Sequence, residues 1–108
     1  MNTATIIGRV GQDPDIKYFE SGKVRTTFSM AVGRWDSKTK AEVTDWFNIE
    51  LWDKQAEFAG EYVKKGRQIV VDGRIALSKW TDQTGEERER FYIVASNLRL
   101  LGSKRDAE

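Results

Sequence analysis

The chain has 108 residues, with 18 Lys and Arg against 17 Asp and Glu, and a formal net charge of +1 at pH 7. This length is sufficient for one domain with a single core and too short for two. Cysteine and histidine are both absent, which excludes disulfides, the common zinc sites, thiol nucleophiles and imidazole acid–base catalysis. Because the net charge is close to zero, a polyanionic partner would have to be bound by local groups of cations.

The chain also lacks the sequence signals of a membrane or secreted protein. No apolar run reaches membrane-spanning length, and the N-terminal segment MNTATIIGRV does not have the basic and then apolar pattern of a secretory signal. We therefore expect a cytoplasmic protein with no membrane partner. An organelle is equally compatible, since a transit segment can be removed before the mature chain begins.

Alternation of apolar and polar residues predicts strands over 24–34, 43–52 and 68–80. The side chains predicted to face inward are Val24, Phe28, Met30, Val32, Phe47, Ile49, Leu51, Ile69, Val71, Ile75 and Leu77. Near the N-terminus, residues 3–10 are β-prone, and the run resumes at 16–19 after an interruption at Gln12-Asp13-Pro14-Asp15. A last β-rich run begins at Phe91 and is predicted to pair with 68–80 as a long hairpin.

One segment changes to helical spacing, with Phe58, Ala59, Tyr62 and Val63 on the repeat. It predicts a helix over 54–65, with Asp53 as its N-cap and Gly66 as the C′ residue. The predicted order is three strands, one helix and two strands. That order indicates an all-β fold, a five-stranded oligonucleotide/oligosaccharide-binding (OB) barrel with its helix between strands three and four. The barrel is expected to span 1–102, and residues 103–108 to form a short polar tail.

Four tryptophans fall on the polar side of the predicted strands: Trp35, Trp46, Trp52 and Trp80. A small domain normally buries its large aromatic side chains, so these rings predict a ligand with flat faces. Unpaired bases are such a ligand, and each stacks on an aromatic ring for about 1–3 kcal/mol. Trp46 and Trp52 lie six residues apart, roughly 20 Å along a strand, a distance that suits two bases but not one base held between the rings.

Each ring also has a structural interpretation. Another subunit or a loop could cover Trp46 and Trp52, and Trp35 could attach the loop 36–40 to the barrel. Trp80 could stabilise its hairpin through a cross-strand aromatic pair. The sequence leaves these alternatives open.

Basic residues accompany the tryptophans in sequence or on the same predicted face, as phosphate contacts would. The candidates for this role are Arg25, Arg34, Lys38, Lys54, Arg74 and Lys79. The denser cluster of Lys64, Lys65 and Arg67 is interpreted as a group that suits the negative end of the helix dipole. The mixed charges of 86–90 are interpreted as a solvated hairpin flank.

The sequence predicts no catalytic residue, metal site or cofactor. The glycines are scattered and match no phosphate-binding loop. The carboxylates are spread over separate elements, whereas a metal-dependent nuclease needs a convergent cluster. We therefore do not expect an enzyme.

Four strings resemble those of bacterial-type single-stranded DNA-binding proteins, in the same order along the chain. They are Ile7-Gly8-Arg9-Val10-Gly11-Gln12-Asp13-Pro14, Thr44-Asp45-Trp46-Phe47, Glu61-Tyr62-Val63-Lys64-Lys65-Gly66 and Lys79-Trp80-Thr81-Asp82-Gln83-Thr84-Gly85. The resemblance covers roughly residues 1–102. It implies an OB-fold homotetramer that wraps single-stranded DNA without reading its sequence and protects it during replication, recombination and repair, in the bacterial nucleoid.

The resemblance also implies roles for particular residues. It assigns base stacking to Trp35, Trp46 and Trp80, and to Trp52, at whose position the family often has phenylalanine. Lys54 and Lys79 match basic positions near the DNA path.

The chain departs from the family pattern in two places. Relatives usually continue into a flexible stretch with an acidic tip that recruits replication and repair enzymes, and this chain stops at Glu108 without one. Recruitment of those enzymes is therefore not expected here. Phe47 stands where well-known relatives have a histidine associated with subunit contacts, so the stability of a tetramer cannot be carried over from them.

Two other functions use the same predicted surface. A structural or adaptor OB module, such as a primosome-type subunit, would bury Trp46 and Trp52 against protein. A carbohydrate-binding barrel would use the aromatic rings, but it would not need the accompanying Lys and Arg residues.

Overall fold

The computed structural model describes residues 1–102, which contain six strands and one helix. The strands are β1 (Ala4–Val10), β2 (Asp15–Tyr18), β3 (Val24–Asp36), β4 (Ala41–Trp52), β5 (Gln68–Thr81) and β6 (Glu87–Leu100), and the helix is α1 (Asp53–Tyr62). The strands β1 and β2 are the two halves of the interrupted first strand, so the order of five strands and one helix is as predicted. The predicted tail, 103–108, lies outside the described residues.

The sheet closes on itself. Its strands run in the order β1-β5-β6-β4-β3-β2, and the end of β1 turns back onto β3, where Arg9 pairs with Ala31 and Val10 with Met30. The strands β4 and β6 meet in parallel at Ile49 and Ile93. The predicted hairpin of β5 and β6 is confirmed along its length. The result is a closed five-strand barrel, which confirms the predicted OB fold.

One parity of each strand fills the barrel interior. The buried side chains include Val24, Phe28, Met30, Ile49, Leu51, Ile69, Val71 and Ile93, which confirms the inward face predicted for these segments. The helix adds Ala56 and Ala59 to the same core, and Val63, which follows the helix, joins them. It is held there by the buried Thr26 hydroxyl, which donates a hydrogen bond of 2.7 Å to the Ala56 carbonyl, a contact of about 0.5–1.5 kcal/mol.

The prediction that Ile75 and Leu77 face a core is wrong, since their side chains are 44% and 40% exposed. The reason is that β5 loses its neighbour β1 at Gly73. From there the two strands leave the barrel as an arm, residues 74–81 and 87–94, which pairs with β4 only at its base, at Ile93 and Val94. Beyond that base the arm is a ribbon of two strands, which has no interior. At the junction, a bulge brings Gly73 so close to the Val94 carbonyl that a Cβ atom would overlap it.

The predicted helix ends are also wrong, because tertiary contacts replace local capping. Asp53 adopts a φ of 54°, and its carboxylate accepts a 3.3 Å hydrogen bond from the Val24 N–H and does not cap the first turn. The helix ends at Tyr62, and the extended residue that follows, Val63, buries its side chain in the core. Gly66 lies in the next turn, where its N–H donates to the Val10 carbonyl at 2.8 Å.

Two of the four apolar residues that predicted the helix lie on its outer side. Phe58 and Tyr62 are exposed, with ring centroids 4.9 Å apart at an interplanar angle of 43°. Residues four apart share one side of a helix, so these two rings pack on each other at the surface. None of the helices in residues 1–102 is long and apolar enough to cross a membrane.

Candidate nucleic-acid interface

Three of the four tryptophans lie on one face of the β3–β4 ribbon. In the antiparallel register Trp35 pairs with Glu42, Ala31 with Trp46, and Arg25 with Trp52. Directly opposed residues point to the same side of a sheet, so the three rings share the outer side, called here the tryptophan face. Four and six residue steps separate them along the ribbon, roughly 13 and 20 Å.

The rings differ in how far they are covered. Trp35 and Trp46 are each 60% exposed and Trp80 is 46% exposed. Trp52 is half-buried, and its ring stacks on Phe19 with a centroid distance of 5.7 Å and an interplanar angle of 24°. A loop therefore covers part of Trp52, as one of its structural interpretations proposed, while the other three rings are available to a ligand.

The backbone of Gly11 packs directly against the indole ring of Trp46. A Cβ atom at this position would overlap the six-membered ring of the indole and would lie 2.8 Å from the Ser29 hydroxyl. Two hydrogen bonds fix the segment: the Gly11 N–H donates to the Ser29 carbonyl at 2.8 Å, and the Asp13 carboxylate accepts from the Lys65 N–H at 2.9 Å. The break between β1 and β2 thus sets the position of a predicted stacking ring.

The arm carries Trp80, and the residue opposite it is Arg88. The cross-strand aromatic pair considered for Trp80 is therefore not formed. Ser78 and Arg90, which pair with each other, and Tyr92 lie on the same side of the arm as Trp80.

The loop 36–40 next to Trp35 is held by Asp36 and not by the tryptophan. The Asp36 carboxylate accepts hydrogen bonds from the Thr39 hydroxyl at 2.9 Å and the Lys38 N–H at 3.2 Å. The turn is thus closed by its own polar side chains, and Trp35 remains exposed beside it.

A groove of about 370 Å³ separates the arm from the tryptophan face. Ser78, Arg90 and Tyr92 line its arm side. The other side is mostly polar and is lined by Gln12, Arg25, Thr27, Ser29, Asn48 and Glu50. The side of the arm that carries Trp80 and the face that carries the other three tryptophans therefore border the same groove.

Asp82 organises the tip of the arm. One carboxylate oxygen accepts from the Thr84 hydroxyl at 2.6 Å, the Thr84 N–H at 2.9 Å and the Glu86 N–H at 3.0 Å, and the other accepts from Arg88 Nε at 2.8 Å. These bonds, the Thr84 hydroxyl first, lower the pKa of Asp82 from 3.8 to about 2. The carboxylate thus stays charged to a lower pH than an ordinary Asp, and its hydrogen bonds fix the turn beyond Trp80.

The structure places four of the six predicted phosphate contacts near the tryptophans and two away from them. Arg25 lies on the tryptophan face, Lys54 follows Trp52 at the start of α1, Lys38 lies in the turn beside Trp35, and Arg74 shares the Trp80 side of the arm.

The remaining two predicted contacts lie elsewhere. Arg34 is on the opposite face of the ribbon, where its Nε is 2.7 Å from an Asp45 carboxylate oxygen. Lys79 is on the side of the arm opposite Trp80, paired with Glu89.

Sequence reasoning missed four residues that border the interface: Lys17, Phe19, Arg90 and Tyr92. Alternation alone could have placed Lys17 on an outer side. Phe19, Arg90 and Tyr92 could not be predicted in this way. Their positions depend on the path of a loop or of the arm, which the pattern of a single strand does not indicate. In the part of the chain from 1 to 102, no group of three or more Asp or Glu residues could hold a metal ion.

Comparison with known proteins gives the family. Residues 1–101 match the model of the single-strand binding protein family. The chain belongs to that family. The resemblance seen in the four sequence strings is therefore confirmed, and since these are DNA-binding proteins and not enzymes, the expectation that this member is not an enzyme is confirmed as well.

Relatives and a solved structure agree with this assignment. A single-stranded DNA-binding protein 1 of Nostoc sp. is 50% identical over 109 residues, covering 100% of this chain and 89% of its own. The single-stranded DNA-binding protein 1 of Synechocystis sp. is 49% identical over 107 residues, with coverage of 98% and 88%. The structure of a Plasmodium falciparum SSB complex with single-stranded DNA superposes with a TM-score of 0.86 at 29% identity, covering 94% of this chain and 96% of that one.

Proposed function

We propose that this family member binds and protects single-stranded DNA through the tryptophan face and the Trp80 side of the arm, without reading the base sequence. The observation that carries the proposal is the placement of three tryptophans on one outer face, with the fourth across a shared groove. Membership of the single-strand binding family supports the same ligand.

Binding by these rings explains selectivity for single strands. Each exposed indole offers a π-face to an unpaired base for about 1–3 kcal/mol, and every base has such a face, so sequence matters little. In a duplex the bases are already stacked and enclosed. We expect the groove, whose lining is mostly polar, to hold the backbone and sugars of a strand that passes from the ribbon to the arm.

Cations on the same surfaces would neutralise the phosphates. We propose Arg25, Lys38, Lys54 and Arg74 for this role, together with Arg90 at the groove. Arg34 and Lys79 are left out, because the first is paired with Asp45 on the other face of the ribbon and the second lies behind Trp80.

Tryptophan emission tests the proposal directly. Titration with dT oligomers of increasing length should quench the emission deeply and reach saturation at a fixed number of nucleotides, while duplex DNA should not compete. The double substitution W46A/W80A should weaken poly(dT) binding by about two orders of magnitude or more, the stacking of two bases, with an unchanged circular dichroism spectrum. Unquenched emission, or a double variant that binds like the parent, would favour a surface used for protein contacts.

We also propose that the chain assembles as a homotetramer and acts in the cytoplasm, on DNA exposed by replication, recombination and repair. Two surfaces support self-association. The outer face of β1 carries the exposed side chain of Ile7. The arm has an apolar side, with Ile75, Leu77 and Phe91 all exposed. Sedimentation equilibrium would give four times the chain mass if this is right, and one chain mass if it is not.

A further inference from the structure

The end of the tryptophan face near Trp52 carries a row of side chains that crosses three strands. Lys17 of β2 pairs with Arg25 of β3, and Arg25 pairs with Trp52 of β4. Opposed residues point to the same side, so the two cations and the indole are neighbours on one outer surface. This surface continues the face that carries Trp46.

Phe19 contacts every member of this row. Its ring stacks on Trp52 at 5.7 Å, while Lys17 Nζ lies 5.0 Å and Arg25 Cζ 5.5 Å from the ring centroid. These distances are within the range of cation–π attraction. One aromatic ring therefore holds the indole and both cations at the same place.

The turn that follows β2 fixes the backbone of Phe19. Its N–H donates to the Lys23 carbonyl at 2.9 Å, and its own carbonyl accepts from the Gly22 N–H at 3.0 Å. The ring is therefore attached to a closed turn and not to a free loop, which allows it to orient its neighbours.

The chemistry of the row suits one nucleotide. Phe19 occupies part of the Trp52 ring, so a base has the remaining exposed surface of the indole to stack on. Among residues 1–102, neither Lys17 nor Arg25 forms an ion pair with a carboxylate, and an anion can therefore use both charges.

We propose that Phe19 is a positioning residue for single-stranded DNA, and that Phe19, Trp52, Lys17 and Arg25 form a one-nucleotide subsite. A base stacks on the exposed surface of Trp52, and its phosphate lies between the two cations that Phe19 gathers. This inference rests on the proposed function, because it assumes that the DNA path reaches Trp52.

A protein with one tryptophan tests the subsite. The background W35F/W46F/W80F keeps flat rings at the other three positions and leaves Trp52 as the sole tryptophan. In it, dT oligomers should quench the Trp52 emission. Adding F19A or F19L should abolish most of that quenching and weaken binding about fivefold to tenfold, less than the full stacking of a base. F19Y should restore both, because a flat ring is what the subsite needs.

A double-mutant cycle then separates positioning from packing. If Phe19 acts through Trp52, F19L should weaken binding much less in a W52A protein than in the parent. F19L keeps apolar bulk at the turn, so it is informative even if F19A unfolds. The inference is overturned if F19L leaves the quenching and the affinity at parental values, or if F19Y fails as badly as F19L.

The controls distinguish this failure from failure of the proposed function. A wild-type protein whose emission dT does not quench would refute the proposed function itself. A wild-type protein that is quenched, beside a Trp52-only protein that binds dT without quenching, would refute the subsite alone.

Discussion

A tryptophan ring that is already held in place loses less conformational freedom when a base stacks on it. The indole of Trp46 lies directly on the backbone of Gly11, where it fits only because glycine has no side chain. Trp52 is held by the ring of Phe19. In both cases one part of the indole contacts protein and the rest is exposed. A base that stacks there, as proposed, would therefore cost less conformational entropy.

Gly11→Ala should weaken binding to dT oligomers about tenfold. The added methyl group overlaps the indole, and the displaced ring loses most of the 1–3 kcal/mol that one stacked base contributes, by the order-of-magnitude value for such contacts. Affinity measured by fluorescence titration, together with the emission maximum of the free protein, gives the result.

Gly33→Ala is the matched control, because a Cβ atom there meets nothing closer than a Glu42 carboxylate oxygen at 3.9 Å. It should bind like the parent. Parental affinity and emission in the Gly11 variant would show that the contact with the Gly11 backbone does not position Trp46.

The arm is the element that depends most on its own polar contacts. Beyond Gly73 it has no core beneath it, and its apolar side chains Ile75, Leu77 and Phe91 are exposed. Its tip is shaped instead by the bonds to Asp82 and by the salt bridge from Arg88. The Asp82 carboxylate therefore supplies most of the side-chain contacts that fix the turn next to Trp80.

Asp82→Asn should loosen the tip at neutral pH, because an amide attracts Arg88 less and accepts fewer hydrogen bonds than a carboxylate. The pKa of Asp82 is lowered in the folded protein, so its stabilising contribution is complete above 3.8 and is lost as the pH falls through about 2. The parent should therefore show the same loosening on acidification over that range. Amide exchange at Thr84 and Glu86 measures both effects.

Glu86→Gln serves as the control for the tip, since it removes only the longer contact to Arg88, at 3.3 Å. Exchange in this variant should stay close to that of the parent. Equal exchange rates in the Asp82 variant and the parent would contradict the role given to the carboxylate.

In the whole molecule, the distribution of charge over the faces matters more than the net charge. The net charge of +1 gives no general attraction to a polyanion. Cations nevertheless collect beside the tryptophans, while Arg34 is neutralised by Asp45 on the other face of the same ribbon. Affinity should thus depend mainly on stacking and only moderately on salt.

The salt dependence tests this distribution. A single-strand contact contributes a slope of about −0.7 in log K against log salt for each phosphate neutralised. Arg25→Gln should therefore make the slope shallower by about that amount, whereas Arg34→Gln, the matched control from the opposite face, should leave it unchanged. A slope that changes with Arg34 and not with Arg25 would reverse the assignment of faces.

The sequence by itself determined the barrel, its order of elements and the family. Alternation in β3 and β4 separates inside from outside because successive side chains of a strand point in opposite directions. The same rule assigned Trp46 and Trp52 to the outer side, and the four strings identified the family. These signals are local, so they can be read without knowing the fold.

Only the tertiary structure decided the features that depend on neighbours distant in sequence. The loss of β1 as a neighbour exposed Ile75 and Leu77, and the position of the arm brought Arg90 and Tyr92 to the groove beside the tryptophan face. A turn 33 residues away in sequence brought Phe19 onto Trp52. The physical reason is the same in each case: parity gives the side of a strand on which a residue lies, but only packing between strands and loops determines what covers that side.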